Sequence, residues 1–298
     1  MTVRRTLPNK ARTTIGAWCF VDHFGPNLIA ETGGMHVAPH PHTGLQTVTW
    51  LFDGEVEHRD SVGSHQLVAP GQVNLMTAGT GISHSEVSTE KTSYLHGVQL
   101  WVALPDKDRF IAPFFEHHLC PTTQVGPARL TVFTGDIAGV SNPATTFSPL
   151  VGAEILAPAQ SEFTLEINPD FEHGILVDTG FITANGEEVL KDELFYLEPG
   201  STSLTITAGD EPVRLVLIGG EPFGEELVMW WNFIGRSHEE IVDFRSAWQN
   251  DVIEEHNQSG IFGTVAFEGA PIPAPEMPHV RLRPRKLPRP EPMKEGTP

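Results

Sequence analysis

The 298-residue sequence predicts an all-β protein built from two similar antiparallel β-barrels. Three observations carry that expectation. Short apolar-rich runs alternate with Gly- and Pro-containing turns along most of the chain. Hairpin signals stand at Asp53-Gly54 and Asn185-Gly186, between strand-like runs. The segment Pro70-Gly71-Gln72-Val73-Asn74-Leu75-Met76-Thr77-Ala78-Gly79 is echoed by Pro199-Gly200-Ser201-Thr202-Ser203-Leu204-Thr205-Ile206-Thr207-Ala208-Gly209, an internal repeat that two copies of one unit explain.

Taken in order, the run Val48 to Phe52 ends in the Asp53-Gly54 turn, and a second strand follows from Glu55 to Asp60. Trp50, Phe52 and Trp101 are expected in the barrel wall, because large aromatics bury well in β-structure. A join near Ser141 to Pro158 divides the chain into residues 1–140 and 141–298. Ser237-His238-Glu239-Glu240 has the form of a capping box, and Ile241, Phe244 and Trp248 follow at i, i+3 and i+7. One amphipathic helix is therefore expected, near the C-terminal barrel and in a packing role. From Pro271 to Pro298 the chain is Pro-rich, with positive charge gathered in Arg281-Leu282-Arg283-Pro284-Arg285-Lys286. It reads as an extended segment lying on the acidic surface and clamping the first barrel, disordered beyond about Pro288.

Composition narrows the function classes. A hydrophobic content of 39% is enough for real cores. With 19 basic and 38 acidic residues the formal charge is −19, which opposes direct binding to nucleic acid and to anionic membranes. No apolar run approaches a membrane span, and the basic N-terminus lacks the apolar stretch of a signal peptide. Cys19 and Cys120 are the only cysteines; a disulfide framework is not expected, and a reducing cytoplasm fits. Neither has metal-ligand spacing, so both read as packed thiols.

Chemistry concentrates in two pairs. His40 and His42 stand in Pro39-His40-Pro41-His42, and His84 and Glu86 in Gly81-Ile82-Ser83-His84-Ser85-Glu86. On a strand, i, i+2 spacing puts both members of a pair on one face. Two such strands inside a barrel can aim three imidazoles and one carboxylate at a common centre, a good donor set for one divalent first-row transition metal. Fourteen histidines make a chance H-x-H the competing explanation. Counting from the repeat's turns puts Glu172, Gly174, Arg214 and Val216 at the four positions in the second copy. Their joint absence favours a site in the first barrel only.

Gly34, five residues and His40-x-His42 resemble the cupin pattern. The match narrows with Gly16-Ala17-Trp18-Cys19-Phe20-Val21-Asp22-His23-Phe24-Gly25-Pro26, with Ala78-Gly79-Thr80-Gly81-Ile82-Ser83-His84-Ser85-Glu86, and with Leu95-His96-Gly97-Val98-Gln99-Leu100-Trp101-Val102. Together with Gly219-Gly220-Glu221-Pro222 and Val228-Met229-Trp230, these resemble the pirin family over roughly residues 3 to 285. The resemblance implies a bicupin with jelly-roll barrels packed face to face and a metal-free C-terminal copy. It implies one mononuclear metal, usually Fe2+, held by His40, His42, His84 and Glu86; the donors alone do not separate iron from nickel, copper, zinc or manganese. Gln46 stands where cupins and pirins commonly have Glu, and is expected behind the ligands or on the strand face, not on the metal.

The activity implied is quercetin 2,3-dioxygenase-like: oxidative ring opening of a flavonol or a related enolic or phenolic substrate, with Glu86 as both ligand and base. The alternative is a non-enzymatic redox-sensitive regulator that binds a protein partner through its metal state. Other residues are weighed lower. His58 is expected to line the cavity or merely pack, His96 to stand behind the site, His23 to bond within the N-terminal arm, His36 to lie in a loop, and His117-His118 to form a surface pair. Ser61-Val62-Gly63-Ser64 lacks the Lys of a phosphate loop, and no serine has a placed base.

Overall fold

The computed structural model describes residues 2–285. Lys286 and the stretch after Pro288, expected to be disordered, lie outside the described residues. The first unit pairs a six-stranded sheet with a four-stranded one. In the larger sheet the spatial order is Val3–Leu7, Trp18–Leu28, Tyr94–Ala103, Leu45–Asp53, Gln72–Thr77 and Phe114–Leu119; in the smaller it is His36–His42, Ile82–Ser88, Val56–Asp60 and His65–Val68. The second unit repeats the plan. Leu150–Ala157, Val213–Gly220, Glu172–Thr179 and Leu194–Leu197 run through its larger sheet, and Glu162–Glu166, Ser203–Ala208, Ile182–Ala184 and Glu187–Val189 form the smaller. These are two cupin units of antiparallel sheets, with one C-terminal helix. Strands Thr122–Val125 and Ala128–Ile137 precede position 140 in the chain, yet they pair in the larger sheet of the second unit.

Equivalence of the strand orders corrects the counting across the repeat. Gln72–Thr77 corresponds by topology to Leu194–Leu197, whereas Ser203–Ala208 corresponds to Ile82–Ser88. The Pro-Gly turn signal recurs before strands of different sheets, so matching turns slipped the comparison by one strand. The second copy's counterparts of the candidate-ligand strands are therefore Glu162–Glu166 and Ser203–Ala208. Their inward residues Phe163, Leu165, Leu204 and Ile206 belong to that unit's apolar core. The second barrel is filled with hydrocarbon where the first is polar.

The two larger sheets pack on each other. Val48, Trp50 and Phe52, with Val73, Leu75, Val98, Leu100 and Trp18, share one buried cluster with Phe133, Leu150, Leu176, Val216 and Ile218 of the second unit. Strand Leu45–Asp53 is thus buried on both faces: even positions meet the other unit, and odd positions such as Thr49 look into their own barrel. The units approach closely at Gly16, where an added Cβ would lie 2.7 Å from Gly220 Cα and φ is +52°. Trp18 Nε1 donates to Gly219 O at 3.1 Å across the same seam.

The helix His238–Trp248 packs beside the first barrel, not near the second as expected. Arg109 forms a two-pronged ion pair with Glu240, at 3.0 and 2.8 Å, and Arg236 donates to Leu104 O at 2.9 Å. Ser237 caps the helix by accepting from Glu240 N at 3.2 Å, but Glu240 returns its carboxylate to Arg236 N at 2.7 Å, so the capping box is not reciprocal. Residues 227–285 form a strap with its own core of Val228, Phe233, Ile241, Trp248 and Phe262. It grips the first barrel through Phe233 beside Thr43, Ile272 N to Pro39 O at 2.8 Å, and Ser83 Oγ to Phe262 O at 2.8 Å. No helix among the described residues is long and apolar enough to cross a membrane. Cys19 is buried and its thiol is pushed up by burial; burial also pushes Cys120 up to about 12, so both are inert at neutral pH.

Candidate metal centre

His36–His42 is the edge strand of the smaller sheet, which is why it tolerates Pro39 and Pro41: neither has an N–H to give a further neighbour. It pairs antiparallel with Ile82–Ser88, placing His40 opposite His84. The i, i+2 rule then brings His42 into the same space. Ring centroids lie 5.1 Å apart for His40–His42, 4.3 Å for His40–His84 and 5.0 Å for His42–His84. The Nε2 atoms of His42 and His84 face each other at 3.1 Å. All three histidines are buried, and one ligand atom from each lies within 4.8 Å of the others.

Burial sets their protonation. It holds His40 down to about 4 and drives His42 and His84 well below the ordinary histidine value. Three neutral imidazoles therefore coexist at neutral pH, each with a lone pair to offer. Their outer nitrogens are held from behind. His40 Nδ1 donates to Ala38 O at 3.0 Å, and His42 Nδ1 to Asn232 O of the strap at 3.1 Å. His84 Nδ1 lies 3.4 Å from His58 Nδ1, whose Nε2 is 3.0 Å from Asp60 Oδ2. Asp60 Oδ1 in turn accepts from Val62 N and Ser64 N, at 3.1 and 2.9 Å. Read outward from the carboxylate, His58 carries its proton on Nε2, accepts the Nδ1–H of His84, and leaves His84 Nε2 free to ligate. A donor set with every outer nitrogen tied back fits a divalent transition metal.

Glu86 lines the same cavity but lies outside the three-histidine cluster. Its Oε1 is 3.1 Å from Thr49 Oγ1, which is also 3.0 Å from Gln99 Oε1. One hydroxyl has one proton to give. With Gln99 turned so that its amide N–H faces Thr49 Oγ1, the hydroxyl proton is free for Glu86 Oε1, and burial raises the Glu86 pKa. The cavity measures about 420 Å3, and its walls include Phe20, Trp101 and Trp231, with Arg5, Asp22 and Gln99 supplying polar groups. Phe20 stacks on Trp101 at 4.0 Å, and Arg5 lies over Phe20 while bonding Asp22 at 2.7 and 2.8 Å.

Gln46 stands with Val48 and Trp50 on the face turned to the second unit, where it donates to Thr77 Oγ1 and Thr145 O at 2.9 Å each. His58 is buried behind His84, stacked on Phe115 at 4.5 Å. His96 and His23 meet not at this centre but at the seam between the units. Sequence reasoning missed Asp60 and Asn232. The first had a signal, an i, i+2 pairing with His58; the second acts through a backbone carbonyl and had none.

Two cupin units with a buried three-histidine centre in the first define a bicupin metalloprotein. Residues 1–102 match the Pirin family model and residues 152–254 match the Pirin C-terminal cupin domain. The chain belongs to the pirin family. It is 43% identical to a Pseudomonas aeruginosa protein named "Putative quercetin 2,3-dioxygenase", over 93% of this chain and 86% of that one. A "Pirin-like protein" of Caulobacter vibrioides is 33% identical, over 83% and 88%. A solved structure titled as quercetin 2,3-dioxygenase from Acinetobacter baumannii superposes with a TM-score of 0.88 at 38% identity, covering 95% and 93%.

Proposed function

We propose that this protein is a mononuclear iron dioxygenase that opens the ring of a flavonol or a related enolic or phenolic substrate, with His40, His42, His84 and Glu86 as metal ligands. The observation that carries the proposal is the polar end of the cavity: three neutral imidazoles beside Glu86, facing aromatic walls in a space of about 420 Å3. That volume suits a flat polyphenol. The quercetinase names of the Pseudomonas and Acinetobacter relatives support the same substrate class. A bound Fe2+ ion would supply Lewis acidity toward an enolic oxygen and one-electron exchange with dioxygen.

The chain's own residues do the rest. The three imidazoles hold the ion, tied from behind by Ala38 O, Asn232 O and the His58–Asp60 pair. Phe20, Trp101 and Trp231 present faces on which an aromatic ring can lie, and they keep water from it. Glu86 takes the hydroxyl proton of the substrate, and Thr49 steadies the carboxyl oxygen that receives it. Iron-loaded protein mixed with quercetin in air should bleach the flavonol absorbance and take up oxygen in step, and His42→Ala should do neither. Absence of turnover in fully iron-loaded wild type, together with affinity for a protein partner that changes with oxidation state, would replace this reading with that of a redox-sensitive regulator.

A further inference from the structure

Where the two barrels meet, a second set of donors converges. His23 comes from Trp18–Leu28, His96 from Tyr94–Ala103 and Asp178 from Glu172–Thr179, so both units contribute. Strand alternation puts each on the seam: His23 shares a face with Val21, His96 with Val98 and Leu100, and Asp178 with Leu176. Their exposures are 1%, 7% and 1%. The Nε2 atoms of His23 and His96 lie 2.7 and 2.6 Å from Asp178 Oδ1, and 3.4 Å from each other. On the far side of the His23 ring, Nδ1 is 3.2 Å from Asp192 Oδ1. That pair is not aligned as a hydrogen bond, and both atoms are buried with no hydrogen-bond partner among the described residues.

His23 thus faces a carboxylate oxygen at each ring nitrogen, and a neutral imidazole has one N–H. With the proton on Nε2, Asp178 is served and a lone pair meets Asp192. With the proton on Nδ1, Asp192 is served and a lone pair meets Asp178. Two occupants resolve this, a second proton on His23 or a cation held by the two Nε2 atoms and Asp178 Oδ1, and zinc uptake separates them. With the cation, both imidazoles turn lone pairs inward, and His23 Nδ1–H faces Asp192, the carboxylate behind a ligating histidine that metal sites use.

The surrounding charges agree. Arg214 Nε pairs with Glu154 at 3.0 Å and its Nη1 lies 3.4 Å from Asp178 Oδ2, while Arg4 pairs with Asp192 at 3.0 Å. Glu154, Asp178 and Asp192 therefore meet two guanidiniums, which leaves one negative charge over around a buried donor set whose outer partners Arg4, Asp192 and Arg214 are part-exposed. Thr179 Oγ1 and Arg214 occupy Asp178 Oδ2, so Oδ1 is the oxygen left to ligate. Two nitrogens 3.4 Å apart match the edge of a tetrahedron with metal–nitrogen bonds of about 2.0–2.1 Å. The carboxylate oxygen, now at hydrogen-bond distance, would draw back by less than about 1 Å to complete it.

We propose that His23, His96 and Asp178 form a second metal site, which takes one divalent cation of borderline softness, such as Zn2+, and cross-links the two barrels. Two imidazoles and one carboxylate fill three positions, and water fills the fourth. The experiment uses full-length, untagged protein carrying His40→Ala and His42→Ala, which removes the first centre and makes the result independent of the dioxygenase reading. The protein is equilibrated with Zn2+, freed of unbound metal and analysed for zinc. Expected are about one zinc per chain and a thermal midpoint raised by zinc. Adding Asp178→Asn, whose amide oxygen still accepts from the imidazoles but ligates poorly, should abolish both. A double variant that holds no zinc overturns the proposal, whatever the Asn variant does. So does zinc retained after Asp178→Asn, which would place the metal elsewhere. In the double variant, Co2+ should give the visible absorption of a four-coordinate site; an octahedral spectrum would overturn the assigned geometry.

Discussion

The Nδ1 atoms of His58 and His84 lie 3.4 Å apart, and the proton between them is placed by a third residue, Asp60, 3.0 Å from the far nitrogen of His58. Asp60 is itself pinned by two backbone N–H groups. The carboxylate thus chooses the tautomer of His84 through an intervening ring. His40 and His42 reach the same end through single backbone carbonyls.

This relay predicts the outcome of His58→Phe. Phenylalanine keeps the ring that stacks on Phe115 but accepts no hydrogen bond, so His84 loses its orienting partner while the packing survives. Loss of such a partner behind a ligand typically weakens metal binding about 10- to 100-fold. Competition with a chelator checks this. Unchanged affinity would mean that the His58–Asp60 pair does not govern the ligand.

Acid should destabilise the metal-free protein between about pH 6.5 and pH 4. His40, His42 and His84 have folded values below their unfolded ones, so the unfolded chain binds more protons in that window and stability falls as pH falls. A tenfold difference in proton affinity between the folded and unfolded chain is worth about 1.4 kcal/mol, which makes the His40 contribution a few kcal/mol. Glu86, raised by burial, acts in the opposite sense: its folded form holds a proton that the unfolded form has lost. Glu86→Gln should therefore steepen the loss of stability on acidification. Urea unfolding at a series of pH values gives both slopes; a flat profile over this range would contradict the buried neutral histidines.

Glu86→Gln also separates holding the metal from moving the proton. Glutamine fills the same space and can bond Thr49, and the three imidazoles remain. We expect iron to bind with reduced affinity and turnover of quercetin to fall about 100- to 10,000-fold, the usual worth of a placed general base. Metal content and rate measured on the same sample decide it. Wild-type turnover with normal iron would remove Glu86 from the proton step.

Much of this centre was legible because β-structure has a period of two. The spacings His40–His42 and His84–Glu86 require a shared face on any strand, and the strands proved to be neighbours. The two-unit plan was legible from recurring turns, but the strand-to-strand correspondence was not, since Pro-Gly marks a tight turn without saying which hairpin it closes. The placement of the helix was hidden for another reason. Ile241 and Trp248 show that one face is apolar, and nothing in their spacing tells which barrel that face will meet. Asn232 is harder still, because its carbonyl bonds His42 across 190 positions of sequence and any residue type could supply that oxygen.

The strap that carries Asn232 makes metal retention depend on packing far from the donors. Phe233 is fully buried among Trp231, Phe244 and Phe262, and it lies beside Thr43, next in sequence to His42. Gly44 lets the strap come this close: at φ +67°, an added Cβ would sit 2.5 Å from Ile234 O. Phe233→Ala should cost about 3–5 kcal/mol, from lost burial and the cavity left behind. Because Asn232 O is the neighbouring anchor for His42, the same change should speed metal release to a chelator. An Arg109→Leu control removes the ion pair to Glu240, seven residues along the same strap, while leaving the aromatic neighbours of Phe233 in place. If the strap holds the centre as one packed body, both variants release metal faster than wild type, and Phe233→Ala does so more. Faster unfolding with unchanged metal release in Phe233→Ala would show that the barrel alone keeps His42 aligned.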